Sequence, residues 1–363
     1  MTPLSLHEYH QRLGARFIGV NDAEVVGDYG DVSAEYKALT ETAAVLDLSF
    51  RSRVGLTGAE RIRFLHGQVT NDVNGLDIGH GCYAALITAK GKMQADLNIY
   101  RLQEELLLDF EPGLAPTVSQ RLEKYVISED VQVADVSGLY GLLSLQGPKA
   151  AAVLESLGDF AQLPEKPFIF VTKAEEQGEL YLVNRSRFGT AGYDLFLPAA
   201  ALASFAEKLA RAVATVGGRF CGWQAAEIVR IEAGVPRFGA DMDETNIPLE
   251  AGLENSAISF NKGCYIGQEV ISRIRTYGQV AKALRGLRLP DELKALPAKG
   301  EKLFRADKEA GYITSAVASP RLQANIALGY VRRETNQVGT ELNLLIEGRE
   351  ATARIIELPF LKT

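Results

Sequence analysis

One short segment, Lys262 to Glu269, holds the residue types best suited to chemistry, and it reads K-G-C-Y-I-G-Q-E. Its thiol, Cys264, lies two residues after Lys262 and shortly before a helix predicted to begin at Gln268. A nearby positive charge and a helix N-terminus both favour the thiolate, which is the nucleophilic form of cysteine. The segment therefore predicts a reactive cysteine. The alternative is an ordinary loop-to-helix junction with a small buried thiol.

Two glycines bracket this thiol and determine how closely other groups can approach it. Gly263 and Gly267 can adopt positive φ, or can let another backbone or a ligand come near. After Gly267 the apolar residues Val270, Ile271 and Ile274 follow at the spacing of a short helix. A carboxylate in the first turn of that helix is favoured by the helix dipole.

A second group of polar residues lies in the predicted strand Met93 to Tyr100. Side chains alternate between the two faces of a strand, so Asp96, Asn98 and Tyr100 share one face. A carboxylate, an amide and an aromatic ring on one face suit a flat heterocycle that forms hydrogen bonds. The alternative is a hairpin face that is simply exposed to solvent.

The histidines and cysteines predict no metal site and no disulfide framework. Cys82, Cys221 and Cys264 are odd in number, far apart and without a C-x-x-C pair. His66 and His80 near Cys82 match no familiar ligand spacing. Reduced thiols fit the cytoplasm, which is the predicted location.

The composition excludes several classes of protein. The chain has 363 residues, 47% of them hydrophobic and 23% charged, as in an ordinary globular protein of two or three domains. A net charge of -7 argues against direct nucleic-acid binding. We interpret one basic run as a solvated face: Arg273, Arg275, Lys282, Arg285 and Arg288. There is no signal peptide pattern and no apolar stretch of ~18 residues, so no membrane association is predicted. Dinucleotide, P-loop, G-x-S-x-G and H-E-x-x-H motifs are missing from the sequence.

These chemical groups must be positioned by three kinds of segment. Residues 1–50 read as helices joined by loops, because Leu6, Tyr9, Leu13 and Phe17 recur at helical spacing. Residues 51–282 alternate strands and helices, with a tight turn at 89–92 before the strand of Asp96. Residues 283–363 hold six short β runs with turn signals, which predict a small barrel.

The motif at Cys264 resembles that of the YgfZ-type folate-binding proteins. These proteins are relatives of the glycine-cleavage T-protein, an aminomethyltransferase, and they support iron–sulfur enzymes. The resemblance rests on eight residues: Lys262, Gly263, Cys264, Tyr265, Ile266, Gly267, Gln268 and Glu269, with Arg273 after them. Other segments that resemble the T-protein superfamily are 44–49, 64–73, 230–242 and 247–253. The T-protein itself lacks the cysteine at this place.

This resemblance implies an α+β fold of three lobes in a ring around a central folate cavity, with a C-terminal all-β barrel. Residues 1–282 would form the aminomethyltransferase-like folate-binding region and residues 283–363 the barrel. Two interleaved lobes would divide the first region, roughly 1–50 with 138–240 and 51–137 with 241–282. The implied ligand is tetrahydrofolate or a one-carbon derivative.

It also implies roles for individual residues. Asp96 matches an aspartate near the reacting nitrogens of the folate, and Tyr83 and Tyr100 match aromatic positions near the same pocket. Asn98 shares the face of Asp96. Arg230 matches a pocket arginine that suits a ligand carboxylate. The alternative for Arg230 is a salt bridge on its own helix, with Glu227 or Glu232.

Two positions depart from the T-protein pattern. Ala95 and Asp96 stand where the T-protein has two aspartates. Thr190, in the turn Phe188 to Tyr193, stands where it has a glutamate that contacts the pterin. Both Thr190 and Cys264 argue against plain glycine-cleavage activity.

We therefore hypothesise a tetrahydrofolate-binding protein that supports iron–sulfur cluster assembly or repair and, through it, tRNA modification. Its partners would be iron–sulfur client proteins, and Cys264 and Asp96 would carry any chemistry. The alternative is an aminomethyltransferase that moves a one-carbon unit from an amine donor to tetrahydrofolate. A third possibility is a non-catalytic scaffold that binds other proteins.

Overall fold

The computed structural model describes residues 1–361, apart from the side chain of Tyr277. The chain divides into two units. The first comprises Met1–Ala84 and Ala95–Val229, and the second comprises Ala85–Gln94 and the chain from Arg230 onward. The predicted division into lobes at 1–50 with 138–240 and 51–137 with 241–282 stays a prediction.

Strands and helices alternate through the first part of the chain. In order they are α1 (His7–Arg12), β1 (Arg16–Val20), β2 (Ala23–Asp28), α2 (Val32–Glu41), β3 (Ala44–Asp47), β4 (Ser52–Thr57), α3 (Arg61–Gln68), β5 (Gly81–Ile87), β6 (Met93–Arg101), β7 (Leu106–Phe110), α4 (Ala115–Glu123), β8 (Gln132–Asp135), β9 (Tyr140–Gln146), α5 (Ala150–Leu157), β10 (Phe170–Glu175), β11 (Gly178–Asn184), β12 (Gly192–Pro198), α6 (Leu202–Thr215), β13 (Arg219–Phe220) and α7 (Trp223–Glu232). They form a six-stranded sheet in the order β10-β11-β12-β9-β3-β13 and a five-stranded sheet in the order β5-β6-β7-β4-β8.

The six-stranded sheet is apolar on both faces, and each face contributes to a separate core. In β9, Leu142 packs into one core, whereas Leu143 and Leu145 pack into the other. The core of Leu143 includes apolar side chains of α5 and α6, and that of Leu142 includes side chains of α2, α7 and the second sheet. Strands buried on both faces lack the polar alternation of a half-exposed sheet.

The predicted helix from Leu6 to Phe17 is wrong beyond its first two turns. The helix α1 ends at Arg12, and β1 and β2 follow as an antiparallel hairpin. The hairpin turns at Asn21 and Asp22, whose φ angles are 46° and 63°. Asparagine and aspartate tolerate positive φ in two-residue turns that match the twist of the flanking strands. That local preference decided the structure against the helical spacing.

The predicted C-terminal barrel is confirmed. After α8 (Gln268–Tyr277), the strands β14 (Lys282–Arg288), β15 (Lys302–Arg305), β16 (Lys308–Ser319), β17 (Ala324–Arg332), β18 (Glu341–Ile346) and β19 (Arg349–Ile356) close in the order β14-β17-β16-β15-β18-β19. In β18, Leu342, Leu344 and Ile346 are buried, while Glu341 and Asn343 are exposed. Their alternation is that of a strand with one face in the barrel core.

None of the described helices combines the length and the apolar character that crossing a membrane requires.

Candidate functional site

Tyr83 and Asp96 lie together on adjacent strands of the five-stranded sheet. The Tyr83 hydroxyl donates a hydrogen bond of 2.8 Å to Oδ2 of Asp96. The other oxygen, Oδ1, is buried and has no hydrogen-bond partner among residues 1–361. A buried polar atom without a partner costs about 1–3 kcal/mol. Asp96 thus presents one fixed oxygen and one unsatisfied oxygen.

Burial sets the protonation of this pair. It is the largest influence on the pKa of Asp96, which it raises, and the nearby charge of Glu111 raises that pKa further. The hydrogen bond from Tyr83 and the charge of Arg51 act in the opposite direction. Burial and Asp96 raise the pKa of Tyr83 well above its ordinary value, so Tyr83 stays a hydrogen-bond donor.

Asn98 is used internally rather than left open on the strand face. Its Nδ2 donates to Oδ2 of Asp109 at 3.0 Å, and its Oδ1 accepts from Arg185 at 3.1 and 3.2 Å. Asn98 is 4% exposed. Both ends of the amide are therefore satisfied by the protein, which differs from the ligand contact that the sequence predicted.

Tyr100, on the same strand face as Asp96 and Asn98, packs into the core. Its ring lies 6.2 Å from Phe168, 6.1 Å from Phe170 and 5.4 Å from Phe196, measured between ring centres. Its hydroxyl is buried and has no hydrogen-bond partner among the described residues. The same is true of the hydroxyl of Thr190, where the T-protein pattern has a glutamate.

A buried ionic network surrounds Asp109, and the sequence reading missed it. Asp109 accepts from Nε of Arg51 at 2.9 Å and from Nη2 of Arg187 at 2.8 Å. Arg187 also donates to Asp194 at 2.7 Å, and Arg51 donates to Glu111. One signal was available in the sequence, since Asp109 interrupts the otherwise apolar strand L-L-L-D-F. Nothing in the sequence linked that carboxylate to Arg51 and Arg187, which lie 58 and 78 residues away along the chain.

The network fixes the charge of Asp109. Burial by itself would raise the pKa of this carboxyl, but Arg51, Arg187 and Arg53 reverse the effect and hold the pKa well below its usual range. Removing one partner of a buried ion pair typically costs about 3–5 kcal/mol, because a charge is left uncompensated. The carboxylate of Asp109 therefore holds both guanidinium groups, and through Asn98 it orients the strand of Asp96.

Arg230 lies in the second unit and is engaged by the protein. Its guanidinium pairs with Asp241, and Nη2 donates to the Ser315 hydroxyl at 2.9 Å. Asp241 also accepts from Thr314 and Ser315, at 2.5 and 2.7 Å. Arg230 is 2% exposed. Asp241 is thus one partner of this guanidinium, and the ligand contact and the salt bridge with Glu227 or Glu232 that the sequence suggested stay predictions.

The cysteine motif forms the loop before α8, in the second unit. Cys264 is exposed, as is Gly263, whereas Lys262 and Tyr265 are buried. Nζ of Lys262 lies 5.0 Å from the centre of the Tyr265 ring, within range of a cation–π interaction. The alternative of a small buried thiol at this junction is therefore wrong.

The helix α8 begins at Gln268, as predicted, with Gly267 before it at a φ of 86°. Glu269 in its first turn pairs with Arg273 at 2.5 Å. These two side chains are 82% and 69% exposed, so the pair contributes only about 0.3–0.5 kcal/mol. In this structure these two motif residues form an exposed ion pair on the surface of α8.

Gly267 is packed against the tip of the hairpin formed by β5 and β6. A Cβ at this position would lie 2.5 Å from the carbonyl oxygen of Thr88 and 2.8 Å from Cδ1 of Ile87. A Cβ on Gly91, at the same tip, would lie 2.9 Å from a methyl carbon of Val270. The motif glycine therefore serves both purposes that the sequence allowed, a positive φ and a close backbone approach.

Comparisons with known families account for most of the chain. The family profile of the GCVT N-terminal domain matches residues 6–262, and that of the glycine cleavage T-protein C-terminal barrel domain matches residues 282–362. The chain belongs to the glycine cleavage T-protein family. This match establishes the superfamily that the resemblance implied. The narrower assignment to the YgfZ type stays a prediction.

Several relatives match this protein over almost its whole length. An aminomethyltransferase of Symbiobacterium thermophilum is 30% identical over 99% of this chain and 96% of its own length. An aminomethyltransferase of Bacillus subtilis is 28% identical over 98% of both chains. The crystal structure of the glycine cleavage system aminomethyltransferase T from Bartonella henselae superposes with a TM-score of 0.89 over 99% of this chain, at 24% identity. The predicted α+β fold with its all-β C-terminal barrel is confirmed.

Proposed function

We propose that this protein is an aminomethyltransferase that moves a one-carbon unit from an amine donor to tetrahydrofolate. Family membership and the full-length relatives that carry this name support the proposal. They favour it over the iron–sulfur role inferred from the cysteine motif. The observation that carries it is the buried Oδ1 of Asp96, which has no partner among the described residues while Tyr83 holds Oδ2.

Asp96 is suited to stabilise positive charge on a donor. When an aminomethyl group is released, its carbon and nitrogen develop positive charge, and a fixed buried carboxylate stabilises that charge without having to reorganise. Tyr83 keeps the carboxyl in one orientation, so Oδ1 is the atom that faces the reacting group. Since burial raises its pKa, Asp96 can also take up a proton from an amine more readily than an exposed aspartate.

The surrounding residues fit a folate. Tetrahydrofolate supplies the nitrogen nucleophiles that take up the one-carbon unit. Tyr100 and Thr190 each have a buried hydroxyl without a hydrogen-bond partner among residues 1–361. Groups of this kind suit the polar edge of a pterin, because a bound ligand would satisfy hydrogen bonds that the protein leaves unmade. Thr190 would then supply a neutral contact at the place of the pterin-binding glutamate.

Asp96→Asn tests the proposal, because it keeps the shape of the side chain and removes its charge. Methylene-tetrahydrofolate formation would be measured with a lipoyl-bound aminomethyl donor. We expect turnover by the natural chain and a fall of roughly 100-fold or more in the variant, the size of a typical general acid–base contribution. The control is Asp77→Asn, which removes the same charge from an exposed position.

An equal rate in the two variants would show that Asp96 is not the catalytic carboxylate. A natural chain that forms no product although it binds tetrahydrofolate would refute the transferase proposal. That result would instead support the expectation, drawn from Thr190, that glycine-cleavage activity is missing.

A second candidate function is folate-dependent support of iron–sulfur cluster assembly or repair, and through it of tRNA modification. The exposure of Cys264, next to the buried Lys262 and four residues before α8, favours it. Client iron–sulfur proteins would contact this loop. Cys264→Ser should leave tetrahydrofolate binding intact and fail to restore iron–sulfur enzyme activity in cells that lack the protein. Full restoration by this variant would eliminate the second candidate.

A further inference from the structure

Arg185, in the turn between β11 and β12, is held rigidly by three neighbours. Its Nε and Nη2 donate to Oδ1 of Asn98 at 3.2 and 3.1 Å, and its Nη1 donates to the carbonyl of Ser186 at 2.6 Å. The guanidinium also lies over the ring of Phe168, with Cζ 4.6 Å from the ring centre. Because hydrogen bonds hold the N–H edge of the guanidinium and Phe168 covers its flat face, Arg185 has lost most of its conformational freedom before any ligand binds.

This guanidinium has no carboxylate partner. None of the described residues places a carboxylate oxygen within 4.0 Å of it, whereas Arg51 and Arg187 both pair with Asp109. Burial lowers the pKa of Arg185, which reflects the cost of holding its charge away from water. Arg185 is partly buried, and charges that are withdrawn from water are normally paired, because an unpaired charge is costly. Arg51 and Arg187 pair with acids, whereas Arg53 donates to backbone carbonyls and its buried Nε has no partner among the described residues. Arg185 differs from Arg51 and Arg187 in having no acidic partner there.

The backbone beneath Arg185 is strained. Phe168 adopts a φ of 63°, the left-handed region that a bulky residue rarely occupies. Its amide donates to the carbonyl of Asn184 at 2.9 Å, which ties it to the residue before Arg185. Strain of this kind costs of order 1–3 kcal/mol and persists at positions where the surrounding structure over-determines it, often ligand-binding sites.

The donors that remain on Arg185 match a carboxylate. Guanidinium carries five N–H groups, and the contacts to Asn98 and Ser186 use three of them. One hydrogen is left on each of Nη1 and Nη2, and guanidinium donors of this kind bind the oxygens of a carboxylate. The unsatisfied polar atoms of Asp96 and Tyr100 lie on the strand of Asn98, two residues to either side of it.

We propose that Arg185 binds a carboxylate group of a small molecule that occupies the site of Asp96. The inference rests on the proposed function and extends it, since it assigns an acidic substituent to one of the two substrates. That substituent belongs either to the glutamyl side chain of the folate or to an amino acid that serves as the one-carbon donor. Asn98 and Phe168 are positioning residues for Arg185.

Binding by calorimetry distinguishes the two sources. The probes are tetrahydrofolate, 6-methyltetrahydropterin, which has no carboxylate, and N-methylglycine, a small amine with both a carboxylate and a one-carbon group. Arg185→Met removes the guanidinium, and Arg185→Lys keeps the charge without the paired donors. Arg63→Met, at a side chain that is 80% exposed, is the control for loss of charge. Circular dichroism checks that each variant is folded. If Arg185→Met does not fold, the comparison is made with Arg185→Lys.

A charge-assisted contact predicts a loss of roughly 10- to 100-fold in affinity for the carboxylate-bearing ligand in Arg185→Met, and a smaller loss in Arg185→Lys. Weakened tetrahydrofolate binding with unchanged 6-methyltetrahydropterin binding assigns the carboxylate to the folate. Weakened N-methylglycine binding with unchanged tetrahydrofolate binding assigns it to the donor. Affinities that match those of the natural chain for all three probes overturn the inference and leave the proposed function standing. A natural chain that binds neither pterin refutes the proposed function, and N-methylglycine alone then decides whether Arg185 binds a carboxylate.

Discussion

Gly267→Ala is a direct test of the way the cysteine motif packs. The substitution adds one carbon at a position where φ is 86° and where that carbon would lie 2.5 Å from the carbonyl oxygen of Thr88. The neighbour is backbone rather than the end of a flexible side chain, so it cannot move aside cheaply. Cδ1 of Ile87, at 2.8 Å, closes a second direction. Either the loop before α8 or the hairpin tip must shift.

The expected cost has two parts. An L-residue at positive φ costs roughly 1–2 kcal/mol, and overpacking a filled site costs typically about 1–3 kcal/mol. Together they predict a destabilisation of about 2–5 kcal/mol. Gly252→Ala is a matched control in the same unit, because its φ is 76° and no heavy atom lies within 4 Å of its added Cβ. That control should show only the first part.

Urea denaturation followed by circular dichroism would compare the two variants with the natural chain. Gly267→Ala should lower the free energy of unfolding by about 1–3 kcal/mol more than Gly252→Ala does, which is the packing part of the cost. If the two variants are equally stable, the backbone around Thr88 relaxes freely. The close approach would then be incidental, and only the positive φ would explain a glycine in this motif.

Two further predictions concern charge and thiol reactivity. Asp109→Asn should destabilise the protein by about 3–5 kcal/mol near pH 7, because it removes the charge that Arg51 and Arg187 share and leaves each of these buried arginines with one acidic partner instead of two. Since the folded protein holds the Asp109 pKa below its unfolded value of about 3.9, this stability is fully present above that pH and is lost as the pH falls through the folded pKa. The urea concentration at the unfolding midpoint of the natural chain should therefore decrease as the pH falls below about 4. Asp109→Asn should lack this decrease, and the same pH dependence in that variant would contradict the reasoning. Cys264 should react with iodoacetamide faster than Cys82 and Cys221, as measured by mass spectrometry of the alkylated peptides. Cys264 is exposed, whereas Cys221 is buried and burial raises its pKa; faster labelling of either other thiol would contradict this prediction.

The sequence by itself determined the local structure wherever one periodicity governed a segment. Short β runs separated by turn signals predicted the barrel strands, and Gly267 marked the start of α8. These features depend on residues that are only a few positions apart, and the sequence shows the types and spacing of such residues directly. Residues 1–50 show the limit, because helical spacing there competed with a turn at Asn21 and Asp22 that the sequence also contained.

Only the tertiary structure decided which polar groups were left unsatisfied. Asn98 and Asp96 occupy equivalent places on one strand face, and the sequence assigned both to a ligand. In the structure both ends of the Asn98 amide form hydrogen bonds, with Asp109 and Arg185, whereas one oxygen of Asp96 has no partner among the described residues. The difference arises because hydrogen bonds and ion pairs join groups that are far apart in the chain. Their partners are set by how β6, β7 and the turn after β11 come together, which residue spacing does not encode.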